Sequence, residues 1–250
     1  MKLKDKVAIV TGGSRDIGRA VSLKLAKEGA KVVVNYFHNK AEADETLRLI
    51  AEAGGQAIAV QGDMTKGDDV QRLFDECGKA FGDKLDILVN VAGGIIGRKK
   101  ITEQDEEWYD TLMNVNLKSV WFCTRAAVPH MKSGASIVNF SSLAARDGGG
   151  AGASLYATSK AAVSCFTRAM AKELGPDGIR VNAICPGTIA TSFHDRFNTP
   201  ENRERAKAGY PLRREGTAEE CADLVAYLAS DESSYLTGTN IDINGGCFFS

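Results

Sequence analysis

The chain has 250 residues, of which 44% are hydrophobic and 25% charged, and its formal net charge is −1. This ordinary globular composition excludes a disordered or collagen-like chain, and the balanced charge lacks the basic excess expected of a nucleic-acid-binding protein. No apolar run approaches the roughly 20 residues of a membrane span, and the apolar stretch near the N-terminus is too short for a signal peptide.

Short β-branched runs alternate with helical patterns along the chain. The predicted strands span residues 6–11, 31–36, 56–60, 85–90, 135–140, 179–184 and 239–243. The predicted helices span residues 17–29, 41–53, 68–81, 105–130, 155–174 and 217–230, and residues 200–209 form a charged stretch. Several strands are apolar on both faces, which is typical of a parallel sheet covered by helices on both sides. We therefore expect one α/β domain over residues 1–250, a doubly wound Rossmann fold with about seven strands.

The six cysteines are scattered and include no C-x-x-C pair. This spacing indicates small buried hydrophobic residues in a reducing compartment rather than a metal site. We expect a cytoplasmic protein with no metal, no nucleic-acid partner and no membrane partner.

A glycine-rich loop follows the first predicted strand. Gly12 and Gly13 come directly after it, and Gly18 lies in the first turn of the following helix. Glycines at such a place let backbone N–H groups approach a pyrophosphate, whose charge the helix dipole favours. The spacing is a poor match to G-x-G-x-x-G, so the loop alone is also compatible with an ordinary strand-to-helix turn.

The end of the second predicted strand bears on the choice of cofactor. No Asp or Glu stands there, about 20 residues past the glycine loop, to hold the ribose diol of NAD. The strand ends in Asn35 and Tyr36, with His38 and Lys40 close by, and Arg15 lies in the glycine loop. These neutral and cationic groups would accept a 2′-phosphate, so we expect NADPH, with NADH possible. In the alternative interpretation, Arg15 and Lys40 are solvated loop charges.

Tyr156 and Lys160 stand four residues apart at the start of a predicted helix, which places both side chains on one face. A Y-x-x-x-K pair alone is uninformative. Its context is more specific, because Ser142 stands just past an apolar strand, where open α/β sheets place their sites. Asn90, at the end of LDILVN, and Asn116, within the predicted helix 105–130, could reach the same crevice.

Over nearly its whole length, the sequence resembles the short-chain dehydrogenase/reductase family. The resemblance lies in TGGSRDIG in the glycine loop, GDM (62–64), NVAG (90–93), NVNL (114–117), SS (141–142), YATSK (156–160) and PGTIAT (186–191), all in family order. The cofactor-binding residues that it implies are Gly12, Ser14, Arg15, Ile17, Gly18, Asn35, Tyr36, Asp63, Met64, Asn90, Ala92, Gly93, Tyr156, Lys160, Pro186, Gly187, Ile189 and Thr191.

The resemblance also implies catalytic roles for Asn116, Ser142, Tyr156 and Lys160. Tyr156 would give its proton to a carbonyl oxygen as hydride arrives, and Ser142 would hydrogen-bond the same oxygen. Lys160 would lower the pKa of the Tyr156 phenol and hold the nicotinamide ribose, and Asn116 would tie Lys160 to a water.

Further contacts follow from the same resemblance. Asp63 would meet the adenine, Asn90 the adenosine ribose, and Ile189 and Thr191 the side of the nicotinamide that carries the carboxamide.

Two positions depart from the family pattern. Asp16 replaces the middle glycine of the cofactor loop, and Val91 replaces the second Asn of N-N-A-G. A carboxylate beside a pyrophosphate is unfavourable unless it points away or pairs with Arg15 or Arg19. We expect Asp16 to cap the helix, a role that aspartate performs well. Val91 weakens any hydrogen-bonding role at its own position and leaves Asn90 intact.

The predicted mouth of the site carries positive charge and glycines. The substrate-binding candidates are Arg98, Arg146, Gly149 and His194. The segments AGGIIGRK, GGGAGASLY, PGTIATSFH and PLRREGTAEE look like those of reductases that act on 4-deoxy-L-erythro-5-hexoseulose uronate, the alginate-derived sugar acid. A more generic resemblance is to 3-oxoacyl-carrier-protein reductases, and other sugar or alcohol dehydrogenases stay open. In the alternative interpretation, the charges belong to mobile surface loops.

Two expectations concern the whole protein. A catalytically silent nucleotide-binding scaffold on the same fold is the alternative class, and the complete set of four catalytic residues argues against it. The aromatic tail at residues 247–250 indicates a homo-oligomer. The resemblance implies a homotetramer, because members of the family often form tetramers.

Overall fold

Seven parallel strands form a single sheet in the computed structural model, which describes residues 1–192 and 200–249. The strands are β1 (Val7–Thr11), β2 (Lys31–Tyr36), β3 (Gln56–Gln61), β4 (Ile87–Asn90), β5 (Ser136–Phe140), β6 (Arg180–Pro186) and β7 (Asn240–Ile243). Their order across the sheet is β3-β2-β1-β4-β5-β6-β7. Strands β1 to β3 are added towards one edge of the sheet and β4 to β7 towards the other, so the strand order reverses between β1 and β4, which confirms the doubly wound fold.

Helices connect the strands. They are α1 (Asp16–Lys27), α2 (Lys40–Glu52), α3 (Gly67–Phe81), α4 (Glu106–Met113), α5 (Ser119–Ala127), α6 (Ala144–Asp147), α7 (Ser154–Leu174), α8 (Pro200–Gly209) and α9 (Ala218–Ala229). Short 3₁₀ turns lie at Ile101–Glu103, Val128–His130, Gly175–Asp177 and Asp231–Ser233. Within the described ranges, none of these helices is both long enough and apolar enough to cross a membrane.

Alternate residues of the central strands bury two separate cores. Ala8 and Val10 of β1 face the core formed with α1 and α9, whereas Val7 and Ile9 face the core formed with α3, α5 and α7. Each of these central strands is thus covered on both faces, because successive side chains point to opposite sides of a sheet. The two cores hold the strands firmly, so the loops at their carboxyl ends are carried on a rigid frame.

Three local predictions need correction. The helix predicted over 105–130 is interrupted by a π-helical turn, Asn114–Lys118, in which Asn116 donates to the carbonyl of Leu112 at 3.0 Å. The charged stretch 200–209 is helix α8, which lacks an apolar stripe and carries ion pairs such as Lys207–Glu204. The four-residue helix α6 was not predicted, because it is too short to show a period.

The cysteines also differ in part from expectation. All six are free, but Cys165 is exposed on α7 and Cys247 is half-buried, whereas the other four are buried. Within the described residues, no group of three or more His, Cys, Asp or Glu side chains is placed to hold a metal ion.

Candidate active site

The glycine loop between β1 and α1 makes a close turn that side chains would block. Gly12 has φ +62°, and a Cβ added to it would lie 3.2 Å from the backbone of Ala92. A Cβ on Gly18 would lie 2.0 Å from the carbonyl oxygen of Gly12. The loop therefore exposes backbone at the start of α1, which is the geometry that receives a pyrophosphate.

Asn35 shapes this loop from below. Its Oδ1 accepts from the backbone N–H of Gly12 at 3.1 Å, and its Nδ2 donates to the carbonyl of Gly62 at 3.1 Å. The residue is only 2% exposed. Its amide is therefore engaged by backbone, unlike the neutral 2′-phosphate acceptor that the sequence suggested, and the neighbouring Tyr36 is buried as well.

The basic residues near this end of the site differ in availability. Lys40 forms an ion pair with Asp44 at 2.6 Å, and Arg19 is bound to Glu42. The Arg15 side chain is 67% exposed, and its ion-pair contact with Asp16 is a long one, 3.9 Å. Of these three cations, Arg15 has the charge best placed to meet a phosphate.

The prediction that Asp16 caps α1 is wrong. The N-cap position is Arg15, without a capping side chain, and Asp16 begins the helix with φ +48°. Its carboxylate accepts instead from the N–H and the hydroxyl of Ser192, at 3.0 and 2.6 Å. The positive φ explains why a glycine suits this position and why the aspartate cannot cap from it.

The ends of β3 and β4 supply polar groups further along the crevice. The Asp63 carboxylate accepts from the N–H and hydroxyl of Thr65 at 2.9 and 2.8 Å, and Met64 beside it is buried. Asn90 donates to Asn139 at 2.9 Å, while its buried Oδ1 has no hydrogen-bond partner in the described chain. A buried acceptor without a partner is rare in proteins and is a feature that a ligand would satisfy.

Asn116, Lys160 and Gly93 meet at the centre of the site. A Cβ on Gly93 would lie 2.7 Å from Asn116 Oδ1 and 3.1 Å from Lys160 Nζ. Asn116 accepts from the N–H of Gly94 and donates to its carbonyl, at 2.9 and 3.0 Å. Its second amide hydrogen goes to the carbonyl of Leu112 at 3.0 Å, so both amide hydrogens are used and one lone pair of Oδ1 is left for a water.

Tyr156 and Lys160 lie in the first two turns of α7, next to Ser142 at the end of β5. Lys160 is 4% exposed and donates to the carbonyl of Phe140 at 2.8 Å. Burial lowers the pKa of Lys160 to about 8. Burial also raises the pKa of the Tyr156 phenol, and a hydrogen bond with Ser142 partly opposes this.

The expectation that Lys160 lowers the pKa of Tyr156 is therefore not met, because the pKa of the phenol is raised. The physical reason is that the Lys160 ammonium is directed to the Phe140 carbonyl and that burial disfavours the phenolate.

The segment after β6, which we call the post-β6 segment (Gly187–Ser192), closes one side of the crevice. Gly187 follows Pro186 and donates to the carbonyl of Ile243 at 2.9 Å. Ile189 is buried against Gly216, and the Thr191 hydroxyl donates to the carbonyl of Ile189 at 3.2 Å. The three predicted contact residues of this segment thus lie on one backbone run beside the site.

The predicted substrate-binding residues differ in their hydrogen-bond and ion-pair partners. Arg98 Nη1 donates to the carbonyl of Ala151 at 3.0 Å, in the loop between α6 and α7 that contains Gly149. Arg98 has no carboxylate partner among the described residues. Arg146 is instead bound to Asp242 at 3.2 Å and to the carbonyl of Asn240 at 2.7 Å. The Arg146 guanidinium is therefore bound within the protein rather than free for a substrate. His194 lies outside the described residues.

Sequence reasoning missed two supporting residues. Ser141 hydrogen-bonds the carbonyl of Lys160 at 2.9 Å and the hydroxyl of Ser164 at 2.7 Å, which fixes α7 against β5. Asn139 links Asn90 to Thr167 at 3.0 Å. Ser141 belongs to the SS motif (141–142), so its place in the sequence could have identified it. Asn139 could be identified only from the register in which β4 and β5 pair.

Together these residues form a site that fits a dinucleotide and a carbonyl compound. The glycine turn, the unpaired Asn90 Oδ1 and the close approach of Asn116 and Lys160 to Gly93 all lie at the carboxyl ends of the strands, where this fold places its ligand. Ser142, Tyr156 and Lys160 can together hold and donate a proton at a reacting oxygen. Fold and site therefore define a nucleotide-dependent oxidoreductase of the Rossmann class.

Comparison with known proteins gives the family. Residues 12–247 match the family described as enoyl-(acyl carrier protein) reductase. The 3-oxoacyl-(acyl-carrier-protein) reductase FabG of Staphylococcus aureus is 38% identical over 246 residues, which cover 97% of this chain and 98% of that protein. The chain belongs to the short-chain dehydrogenase/reductase family, which uses nicotinamide cofactors.

Two solved structures show the same fold. A short-chain dehydrogenase from Burkholderia cenocepacia in complex with NADP is 35% identical with a TM-score of 0.92, and the match covers 99% of each chain. The NADH-dependent reductase A1-R′, responsible for alginate metabolism, is 34% identical with a TM-score of 0.91, again over 99% of each chain.

Proposed function

We propose that this protein is an NADPH-dependent carbonyl reductase whose catalytic residues are Asn116, Ser142, Tyr156 and Lys160. The observation that carries the proposal is the convergence of Tyr156, Ser142 and Lys160 at the carboxyl end of β5, beside the glycine loop. When bound, the cofactor supplies the hydride that adds to the carbonyl carbon.

The residues of the chain handle the proton and the substrate oxygen. Ser142 donates a hydrogen bond to that oxygen, and Tyr156 transfers its phenolic proton to it as negative charge develops. A raised pKa keeps the Tyr156 phenol protonated at neutral pH, as an acid requires. The charged Lys160 binds the nicotinamide ribose and stabilises the phenolate left behind, and Asn116 holds a water from which Tyr156 is reprotonated.

The cofactor proposal follows from charge. Arg15 is exposed at the adenosine end of the crevice, and β2 ends without a carboxylate that would repel a 2′-phosphate. The Burkholderia relative was solved with NADP, which supports NADPH. The relative A1-R′ is named as NADH-dependent, so NADH is the alternative cofactor.

The proposed substrate is an anionic sugar acid, 4-deoxy-L-erythro-5-hexoseulose uronate, which reduction would convert to 2-keto-3-deoxygluconate. The support is Arg98, whose guanidinium stands at the loop that carries Gly149 without a carboxylate partner in the described ranges. Arginine suits a planar carboxylate. The structural relative A1-R′, named for alginate metabolism, points the same way.

A 3-oxoacyl thioester on a carrier protein is the second candidate substrate. The support for it is the 38% identity with the Staphylococcus reductase of that name. A carrier protein presents a long acyl arm rather than a free carboxylate, so this reaction would not need Arg98. We also propose that the protein works in the reducing cytoplasm as a homotetramer.

The direct test is the loss of NADPH or NADH absorbance with purified protein and each of the two substrates. We expect rapid NADPH loss with the sugar acid and a decrease of at least about 100-fold in kcat for Tyr156→Phe. Tyr109→Phe, the same change on an exposed tyrosine, is the control and should retain full turnover. Turnover of the thioester alone would select the second candidate, and no turnover with any pair would support the silent scaffold.

A further inference from the structure

Asp16 joins two distant parts of the chain. Its Oδ1 accepts from the N–H of Ser192 at 3.0 Å and its Oδ2 from the Ser192 hydroxyl at 2.6 Å. The two residues are 176 positions apart in the sequence. Both carboxylate oxygens are engaged by one partner, so the two charge-assisted hydrogen bonds fix the orientation of Ser192 relative to Asp16.

The contact crosses the crevice. Asp16 begins α1, which follows β1, whereas Ser192 follows β6, and β4 and β5 stand between those strands in the sheet. The loops at their carboxyl ends lie along the same edge. A bond between the first and the last of these loops therefore spans the place where a dinucleotide lies in this fold.

The post-β6 segment is held elsewhere by fixed parts of the fold. Gly216 exchanges two backbone hydrogen bonds with it, one to the carbonyl of Thr188 at 3.0 Å and one from the N–H of Ala190 at 2.9 Å. The Thr188 hydroxyl bonds the Tyr210 phenol at 2.6 Å. These anchors hold residues 188 and 190, so the Ser192 end of the segment is the part that Asp16 orients.

We propose that Asp16 is a positioning residue that seats Thr191 against the nicotinamide half of the cofactor, by fastening the post-β6 segment to the glycine loop. This inference rests on the proposed dinucleotide binding. Asp16 adopts φ +48°, where glycine would be favoured, so the carboxylate gains a contact that a glycine could not make.

The same carboxylate has an opposing effect on the other half of the cofactor. A negative charge beside a pyrophosphate is repulsive, and Arg15 lies 3.9 Å from Asp16 and only partly offsets it. Removing the charge should therefore favour binding of the adenosine and pyrophosphate part. Removing the Ser192 contact should weaken binding of the nicotinamide part. The two effects can be separated with two ligands.

The test compares NADPH with 2′-phospho-ADP-ribose, which is the same molecule without the nicotinamide, in calorimetric titrations. The measured quantity is the ratio of the two affinities. We expect Asp16→Gly, which loses both hydrogen bonds, to lower this ratio by about fivefold. Ser192→Ala loses only the hydroxyl bond and keeps the N–H bond, so it should lower the ratio by less. Ser192→Ala should leave the affinity for the fragment unchanged, and Asp16→Gly should raise it.

Two further variants sharpen the test. Asp16→Asn keeps an acceptor for the Ser192 N–H and removes the charge, so it should restore most of the ratio while raising the affinity for both ligands. Asp5→Gly is the matched control, because Asp5 is also an aspartate with a positive φ, +62°, and lies outside the site. It should leave the ratio unchanged.

The outcomes distinguish this inference from the proposed function. Wild-type protein that binds neither NADPH nor NADH would contradict the proposed function. Wild-type binding with an unchanged ratio in both Ser192→Ala and Asp16→Gly would overturn the positioning role alone. If the wild type prefers NADH, the pair NADH and ADP-ribose gives the same readout.

Discussion

Lys160 carries its charge in a buried position, and this sets a pH limit on the reaction. Its pKa is lowered to about 8 by burial, so the ammonium loses its proton above that pH. A neutral amine would no longer stabilise the Tyr156 phenolate. We expect kcat/KM for carbonyl reduction to fall above about pH 8, measured as a pH profile. Lys160→Arg keeps the charge to far higher pH, so the kcat/KM of this variant should not fall above about pH 8.

The same shift affects stability. The pKa of Lys160 is lower in the folded protein than the value of about 10.4 in the unfolded chain. Between these two values the unfolded chain binds more protons, so the contribution of this group to stability rises with pH across that window. If kcat/KM of Lys160→Arg fell above about pH 8 as it does in the wild type, the loss of activity would belong to a group other than Lys160.

Arg15 and Lys40 give a second prediction at this scale. Arg15 is exposed with only a long contact to Asp16, whereas Lys40 is paired with Asp44 at 2.6 Å. We expect Arg15→Ala to weaken NADPH binding by about fivefold with little effect on NADH, because only NADPH carries the 2′-phosphate. Lys40→Ala is the matched control and should change neither. Equal weakening of both cofactors would place Arg15 at the pyrophosphate instead.

The sequence identified the residue types of the site more reliably than their contacts. Asn35 is buried beneath the glycine loop rather than facing a phosphate, and Asp16 binds Ser192 rather than capping α1. Both contacts join residues that lie far apart in the sequence and that are in, or follow, different strands. Periodicity and spacing describe neighbours along the chain, so such pairings become visible only once the sheet order is known.

At the scale of the elements, the start of α9 supports the post-β6 segment. Thr217 and Glu220 form a capping box, with the Thr217 hydroxyl accepting from Glu220 N–H at 3.2 Å and the Glu220 carboxylate from Thr217 N–H at 2.8 Å. Gly216, immediately before it, pairs with the segment. The cap therefore fixes both the helix and the chain that leads to Thr191.

We expect Thr217→Ala to lower the free energy of unfolding by about 1 kcal/mol and also to raise the KM for the cofactor. Asn39→Ala is the matched control, since Asn39 caps α2 by accepting from Glu42 N–H at 3.3 Å. It should lose similar stability in urea unfolding while the KM changes little. Equal KM changes in both variants would show that α9 has no special link to the site.

The element pattern was predictable where a period was present. Strands buried on both faces and helices such as α3 appear in the sequence within one or two residues of their observed limits. The π-helical turn at Asn114–Lys118 was hidden, because one wide turn does not disturb an apolar pattern enough to be detected. Helix α8 was hidden because it has no apolar stripe to mark it.

For the whole molecule, the sheet order locates the site before any side chain is considered. β1 and β4 are neighbours, and their connections leave in opposite directions, which opens a crevice at their carboxyl ends. The predicted alternation of strands and helices was sufficient to predict a doubly wound sheet, since parallel strands require right-handed crossovers, but it did not give the strand order. Neither the substrate nor the assembly follows from that topology, because both depend on surface residues.

Two of the exposed aromatic side chains in the described residues lie at separate places on the surface. Trp121 on α5 is 42% exposed and Phe249 near the C-terminus is 83% exposed. A closed tetramer needs two different self-complementary interfaces, and these places supply one candidate for each. We expect light scattering at micromolar concentration to give about four times the 26.7 kDa of one chain. Trp121→Glu should lower that mass to a dimer, whereas Trp121→Phe should preserve it, and a monomeric wild type would refute the tetramer.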